Sequence, residues 1–151
     1  MDAIDRQILD FLQKDGKITA KEMATNLNLT PTPIYERIKK LEQIGIIKKY
    51  VALLDADLLN QGLTVFMNIC IKEHQKEHRN KFISQVEILK DVTEFYHTSG
   101  SYDFLAKVRF SNVKEYRNFL VDKIASIENI GDIDSQIVLE EIKSTTSIGR
   151  L

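Results

Sequence analysis

The sequence predicts an α+β protein built in two unlike parts, and three observations lead there. Up to Gly45, apolar residues recur three and four apart, the spacing of amphipathic helices. From Leu63 the pattern switches between a period of two and the helical period, in the order β-α-β-β-α-β. Basic residues gather in one place: 31–50 holds five Lys/Arg against two Asp/Glu, although the chain as a whole has a net charge of −1. The expected divisions are a three-helix unit over 1–50, a linker strand and hinge over 51–62, and a sheet unit over 63–151.

In the first part, Ile4, Ile8, Leu9 and Leu12 mark one helix, with Asp2 as its cap and Gly16 near its end. Thr19-Ala-Lys-Glu22 reads as a capping box opening a second, whose inward residues are Ala20, Met23, Ala24 and Leu27. A tight turn at Asn28 and Leu29 leads into a third. There Thr30 is expected to cap with its hydroxyl, while Pro31 brings a preset φ and Pro33 lies in the first turn, where a missing N–H does no harm. Ile34, Ile38, Leu41 and Ile44 form an apolar stripe that Gly45 ends. Opposite the stripe lie Thr32, Glu36, Lys39, Lys40 and Gln43, with Pro33, Tyr35 and Arg37 on the flanks. Two short helices joined by a brief turn, the second basic on its outer face, make a helix-turn-helix pattern suited to a DNA major groove. The β-formers from Ile46 to Leu54 read as a small wing and the way out of this unit. Asp55 to Gly62 lacks the Gly/Ser composition of a flexible linker, which predicts a stiff joint.

In the second part the strands are expected at 63–72, 92–99, 103–110 and 130–139. Helices are expected at 75–89, through Phe82, Val86 and Leu89, and from a capping box at Asn112-Val-Lys-Glu115, burying Tyr116, Phe119, Leu120 and Ile124. This order is the split βαβ, ferredoxin-like arrangement. Two helices cover only one face of four strands, and the other face also carries apolar residues, so it is expected to meet a second copy of itself.

At 43% hydrophobic and 28% charged, the composition is that of a globular protein. Cys70 is the only cysteine, which excludes a disulfide framework and a thiolate metal cluster and suggests a small core residue. The acidic start Met1-Asp2-Ala3-Ile4-Asp5 has no signal-peptide pattern and no apolar run is long enough to span a bilayer, so a cytoplasmic protein is expected.

The run Thr30-Pro-Thr-Pro-Ile-Tyr-Glu-Arg-Ile-Lys-Lys-Leu-Glu42, with Gly45-Ile-Ile and Tyr50-Val-Ala-Leu-Leu-Asp55 after it, closely resembles the Lrp/AsnC (leucine-responsive, "feast/famine") transcription regulators. The opening Asp2-Ala-Ile-Asp5-Arg-Gln-Ile-Leu, Lys14-Asp-Gly16, Ser99-Gly100-Ser101-Tyr102-Asp103-Phe104-Leu105, Glu115-Tyr116-Arg117 and Glu140-Glu141 fit in the same register. The resemblance implies an N-terminal winged helix-turn-helix, a linker strand, and a RAM-type ferredoxin-like domain that dimerises and senses amino acids. It also implies double-stranded DNA as partner, a homodimer assembling to an octamer, and a nucleoid-associated place of action. A free amino-acid effector would sit near the 99–103 turn, between dimers; no other cofactor is expected.

On this reading Lys39, Lys40, Lys48 and Lys49 serve phosphates, Lys21 touches the backbone as well, and Thr32, Pro33, Glu36 and Arg37 take the groove-facing end, beside Thr30 and Tyr35. Around the turn Ser99-Gly100-Ser101-Tyr102-Asp103, successive backbone N–H groups can form a nest for a carboxylate while Asp103 balances an α-ammonium. Alternatively, Asp103 only accepts bonds from its own turn and Gly100 supplies positive φ. Thr98 and Gln136 are placed nearby by the assumed strand order. His74 and His78, four apart, have metal-pair spacing but no evident third ligand, so solvated histidines are expected. His97 falls within the second strand, at the expected sheet interface. Asp132 with Asp134 and Glu140 with Glu141 read as surface charge. No nucleophile–base arrangement or phosphate-binding glycine loop argues for catalysis. A nucleoid-architectural protein without effector and a siroheme-decarboxylase-like enzyme are the alternatives; the intact basic helix counts against the second.

Overall fold

The structure, a computed structural model, describes residues 1–149. It falls into two compact units, Met1–Leu53 joined by the tail from Lys143, and Leu54–Ile142.

The first unit contains three helices, α1 (Ala3–Lys14), α2 (Ala20–Leu27) and α3 (Pro31–Gln43). Ile8, Leu9, Met23, Ala24, Ile34 and Leu41 form its core, with Ile4, Leu12, Leu27 and Ile38 packed around them. Burying an Ile, Leu or Met side chain of this core contributes roughly 1.5–3 kcal/mol. Asp2 and Thr19 each close a reciprocal capping box, with Asp5 and Glu22 respectively. Asn28 takes a left-handed conformation (φ 53°) that stops α2 and turns the chain toward α3. In the tail, the Ile148 N–H donates to Gln13 Oε1 at 2.7 Å.

Three expectations for this unit need correction. Thr30 makes no side-chain cap hydrogen bond. An N-cap oxygen ordinarily receives the N–H of the second or third helical residue; here the third is Pro33, which has none. Proline-set φ, more than capping, starts this helix. Ile44 lies outside the buried stripe, 59% exposed at the C-cap, because Gly45 (φ 76°) turns the chain away. Among the described residues no strand forms between Ile44 and Gly62: neither the wing nor the linker strand is present in the single chain. A strand needs partner N–H and C=O groups, and the exposed Val51, Leu53 and Leu54 meet no strand among the described residues.

The second unit runs β1 (Leu63–Ile71), α4 (Lys76–Glu87), β2 (Val92–His97), β3 (Phe104–Phe110), α5 (Val113–Asn118) and β4 (Ile130–Ile137). After α5 the chain widens into a π-helical turn, Phe119–Lys123, and then a short 3-10 turn, Ile124–Ser126. The strand order is β2-β3-β1-β4 with every neighbour antiparallel, the ferredoxin-like arrangement. One face carries Val65, Met67, Ile69, Phe104, Ala106, Val108 and Phe110, buried beneath Phe82, Val86, Tyr116, Phe119 and Ile124. The other face presents Phe66, Asn68, Leu105 and Lys107.

Here too the details differ. Cys70 is only partly buried and alternates onto the open face, where its thiol donates to the Ser101 carbonyl at 3.5 Å. His97 pairs with Phe104, whose ring is buried on the helix-covered face, so it leaves the expected interface; the two rings lie 5.0 Å apart. Asn112 caps Glu115 N–H, but the Glu115 carboxylate receives the Ser111 N–H instead of closing the box on Asn112. Leu120 is half-buried.

Candidate nucleic-acid interface and effector turn

Both faces of α3 follow from its spacing. Ile34 and Leu41 are sealed into the core at 0% and 2% exposure, while Thr32, Pro33, Tyr35, Glu36, Lys39 and Lys40 face solvent. Lys39 Nζ lies 4.7 Å from the centre of the Tyr35 ring, a cation–π contact one helical turn long. Lys21 is exposed in the first turn of α2, Thr30 is exposed just before α3, and Lys48 and Lys49 are exposed beyond the end of α3. Tyr50 folds back so that its hydroxyl donates to Glu42 Oε1 at 2.9 Å. Burial, reinforced by the Glu42 carboxylate, pushes the phenol up to about 12.

Arg37, expected at the groove-facing end, is engaged within its own unit. One guanidinium nitrogen bridges two carboxylates, Asp2 at 2.7 Å and Asp5 at 2.6 Å. The Asp5 backbone N–H and then Arg37 hold the Asp2 carboxyl below its ordinary value. For Asp5, burial pulls upward, and the Asp2 N–H with Arg37 outweighs it. The Arg37 pKa rises through its bonds to Asp5 and Asp2. The 32- and 35-residue separations hide this triad from local sequence patterns.

The 98–103 turn is held by its own carbonyls. Thr98 N–H donates to the Asp103 carbonyl at 2.8 Å and Thr98 Oγ1 to the Tyr102 carbonyl at 3.0 Å. Gly100 sits at φ 129°, a conformation that favours glycine. Among the described residues, the backbone N–H groups of Ser99, Gly100, Ser101 and Tyr102 have no protein acceptor. The Asp103 carboxylate does not bond its own turn: Oδ2 accepts the Ile71 N–H at 2.8 Å, and Oδ1 lies 3.4 Å from His74 Nδ1. His78 Nδ1 contacts Glu73, so the two histidines engage separate carboxylates. Gln136 pairs with Phe66, well back along β1 from the Ile69–Ile71 end where the turn docks. One chain therefore brings Thr98 to Asp103 together and leaves Gln136 apart.

On the open sheet face, Lys107 Nζ bonds Glu94 Oε1 at 3.0 Å and lies 5.8 Å from the Phe66 ring centre. The Tyr96 hydroxyl donates to Glu94 Oε2 at 2.8 Å. Lys107 and then Tyr96 hold the Glu94 carboxyl below its ordinary range, while the Tyr96 phenol is raised by the same carboxylate.

A helix-turn-helix followed by an antiparallel ferredoxin-like unit defines a DNA-binding transcription regulator with a ligand-binding domain. Residues 1–48 match the winged helix-turn-helix DNA-binding family model and residues 64–148 the Lrp/AsnC ligand binding domain. The chain belongs to the Lrp/AsnC family. It is 36% identical over 148 residues to the DNA-binding transcriptional activator DecR of Escherichia coli K12, covering 98% of this chain and 97% of that one. An AsnC family regulator from Agrobacterium tumefaciens superposes with a TM-score of 0.93 at 38% identity, covering 98% and 96% of the two chains. A transcriptional regulator from Neisseria meningitidis, solved in complex with L-Met, has a TM-score of 0.93 at 33% identity with the same coverage.

Proposed function

We propose that α3 enters the major groove, with Lys39, Lys40, Lys48, Lys49 and Lys21 on phosphates and Thr30, Thr32, Pro33, Tyr35 and Glu36 toward the bases. The observation that carries this is the division of α3 into a sealed apolar edge, Ile34 and Leu41, and an opposite edge bearing Lys39 and Lys40. Phosphate contacts of this kind supply affinity and salt dependence; base-edge contacts supply sequence preference.

The open sheet face pairs two copies into a dimer, and dimers assemble further, up to an octamer. A free amino acid binds at the 98–103 turn, its carboxylate on the N–H groups of 99–102 and its ammonium near Asp103 Oδ1. The L-Met complex of the Neisseria relative and the unengaged N–H groups support this. The protein acts in the cytoplasm at the nucleoid, without catalytic activity. No described helix is long and apolar enough to cross a membrane.

The test has two arms. Lys39→Ala with Lys40→Ala should weaken duplex binding and flatten its salt dependence, the slope falling by about one for each phosphate no longer neutralised, and should leave the oligomer intact. Melting temperatures measured with each proteinogenic amino acid should rise with an effector, because a ligand that binds only the folded state stabilises it. Undiminished DNA binding by the double variant would defeat the groove assignment. No thermal shift and unchanged sedimentation with every amino acid would defeat the effector assignment.

A further inference from the structure

We propose that Asp2, Asp5 and Arg37 form a charge lock that sets the roll of α3, making Arg37 a positioning residue for sequence discrimination and not a DNA contact. The proposal rests on α3 being the groove-facing helix and goes beyond it by dividing the basic residues of that helix into two kinds.

Arg37 lies in the middle of α3, whereas Asp2 caps α1 and Asp5 stands in its first turn. The apolar contacts of Ile34, Ile38 and Leu41 fix how far α3 sits from its neighbours, yet such contacts are non-directional and tolerate rotation about the helix axis. A lateral polar tether removes that freedom. At the radius of the side chains, a roll of about 15° moves a tip by roughly 1.5 Å, enough to spoil a hydrogen bond to a base edge. Phosphate contacts by flexible lysines survive such a shift.

The surroundings argue against a phosphate at Arg37. It lines an open cleft of about 570 Å³ together with Asp2, Asp5, Glu36 and Lys40. Three carboxylates there offset Arg37, Lys40 and the Met1 ammonium, so a DNA phosphate would meet no net positive charge. Arg37 is also only partly exposed, its side chain at 32%, while Lys39 and Lys40 are exposed.

The test uses the full-length protein and two duplexes: one enriched from random DNA by in vitro selection with the wild-type chain, and one scrambled from it. Affinities are measured over a salt series. Arg37→Ala should lower affinity for the selected duplex at least tenfold, change the scrambled duplex by less than about threefold, and leave the salt slope unchanged. Asp5→Asn keeps an oxygen for helix capping and removes the charge. It should also collapse the selected-to-scrambled ratio, with scrambled binding equal or tighter. Arg37→Lys, whose ammonium can still bridge two carboxylates, should restore much of the ratio.

A slope shallower by about one per half-site in Arg37→Ala, with the ratio kept, would make Arg37 a phosphate contact and overturn the proposal. Tighter binding of Asp5→Asn to both duplexes at an unchanged ratio would overturn it too. Should Arg37→Ala fail to fold, the Asp5→Asn and Arg37→Lys ratios decide. Lys39→Ala with Lys40→Ala is the control for the underlying reading: if it binds both duplexes as wild type does, the groove placement of α3 fails, whatever Arg37 does.

Discussion

The carboxylate of Asp103 and the backbone N–H of Ile71 are joined by a 2.8 Å hydrogen bond between the start of β3 and the end of β1. This bond occupies one oxygen of the residue proposed to hold an effector's ammonium, and so gives Asp103 a structural task beside any binding task. Substitutions separate the two. Asp103→Asn keeps an acceptor for Ile71 and loses the charge; its stability should stay within about 1 kcal/mol of wild type while the amino-acid thermal shift disappears. Asp103→Ala leaves the Ile71 N–H without its partner and should cost about 1–3 kcal/mol in urea unfolding. Retention of the thermal shift by the Asn variant would remove the ammonium role.

Stability should depend on acid in a definite direction. Asp2, Asp5, Glu22 and Glu94 all have carboxyls held below their ordinary values, 3.8 for Asp and 4.5 for Glu. At low pH the unfolded chain binds protons that these folded carboxylates resist, so their contribution is present above the ordinary values and lost as pH falls through the folded ones. The melting temperature followed by circular dichroism should be level from about pH 7 to 5 and decline below about pH 4. Tyr50 has the opposite sign: its stabilisation holds below 10.0 and fades as pH rises toward about 12. A melting temperature that rises on acidification would contradict the carboxylate assignments.

The aromatic cluster under the sheet should tolerate little. Phe82 is 0% exposed, with its ring centre 6.1 Å from that of Phe95 and 5.1 Å from that of Phe104; Phe95 and Phe104 stack at 5.1 Å. Phe82→Ala removes one corner of this triangle and should cost about 3–5 kcal/mol, with Phe82→Leu losing less because it leaves a smaller cavity. Urea denaturation followed by tyrosine fluorescence measures both. A loss below about 1 kcal/mol for the Ala variant would mean that the site collapses around the gap.

Periodicity and capping chemistry make most of the architecture legible in the sequence, since those signals act over three or four residues. The boxes at Asp2 and Thr19 and the stripe through Ile34 and Leu41 are of this kind. Local patterns mislead where a distant partner decides. The β-formers at Ile46–Leu54 lack a strand to pair with, Cys70 depends on which face its strand turns outward, and Arg37 is claimed by residues more than thirty positions away. At the candidate site, the lysines of α3 are readable from helical spacing alone. Asp103's bond to Ile71 and Gln136's distance from the turn depend on which strands pair and how; alternation marks the buried face of a strand without naming its partner.

The peptide joining Cys70 to Ile71 is gripped from both sides, and this predicts a coupled pair of substitutions. Its N–H is held by Asp103, while its C=O is approached so closely by Gly131 that an added Cβ would sit 2.9 Å from the Cys70 oxygen and 3.4 Å from its carbon. The β1–β4 register shifts at this point, between Ile69 and Ile71. Gly131→Ala must push that peptide away, at a cost of about 1–3 kcal/mol. The displacement also carries the Ile71 N–H off the Asp103 carboxylate, so part of what Asp103→Ala removes is already gone. The double variant should therefore be less destabilised than the two singles added together, by more than the roughly 0.5 kcal/mol scatter of independent sites. Urea unfolding of the four proteins gives the coupling, and amide exchange at Ile71 reports the bond itself. Strict additivity with an unchanged Ile71 exchange rate in Gly131→Ala would mean that the two contacts do not share a peptide in solution.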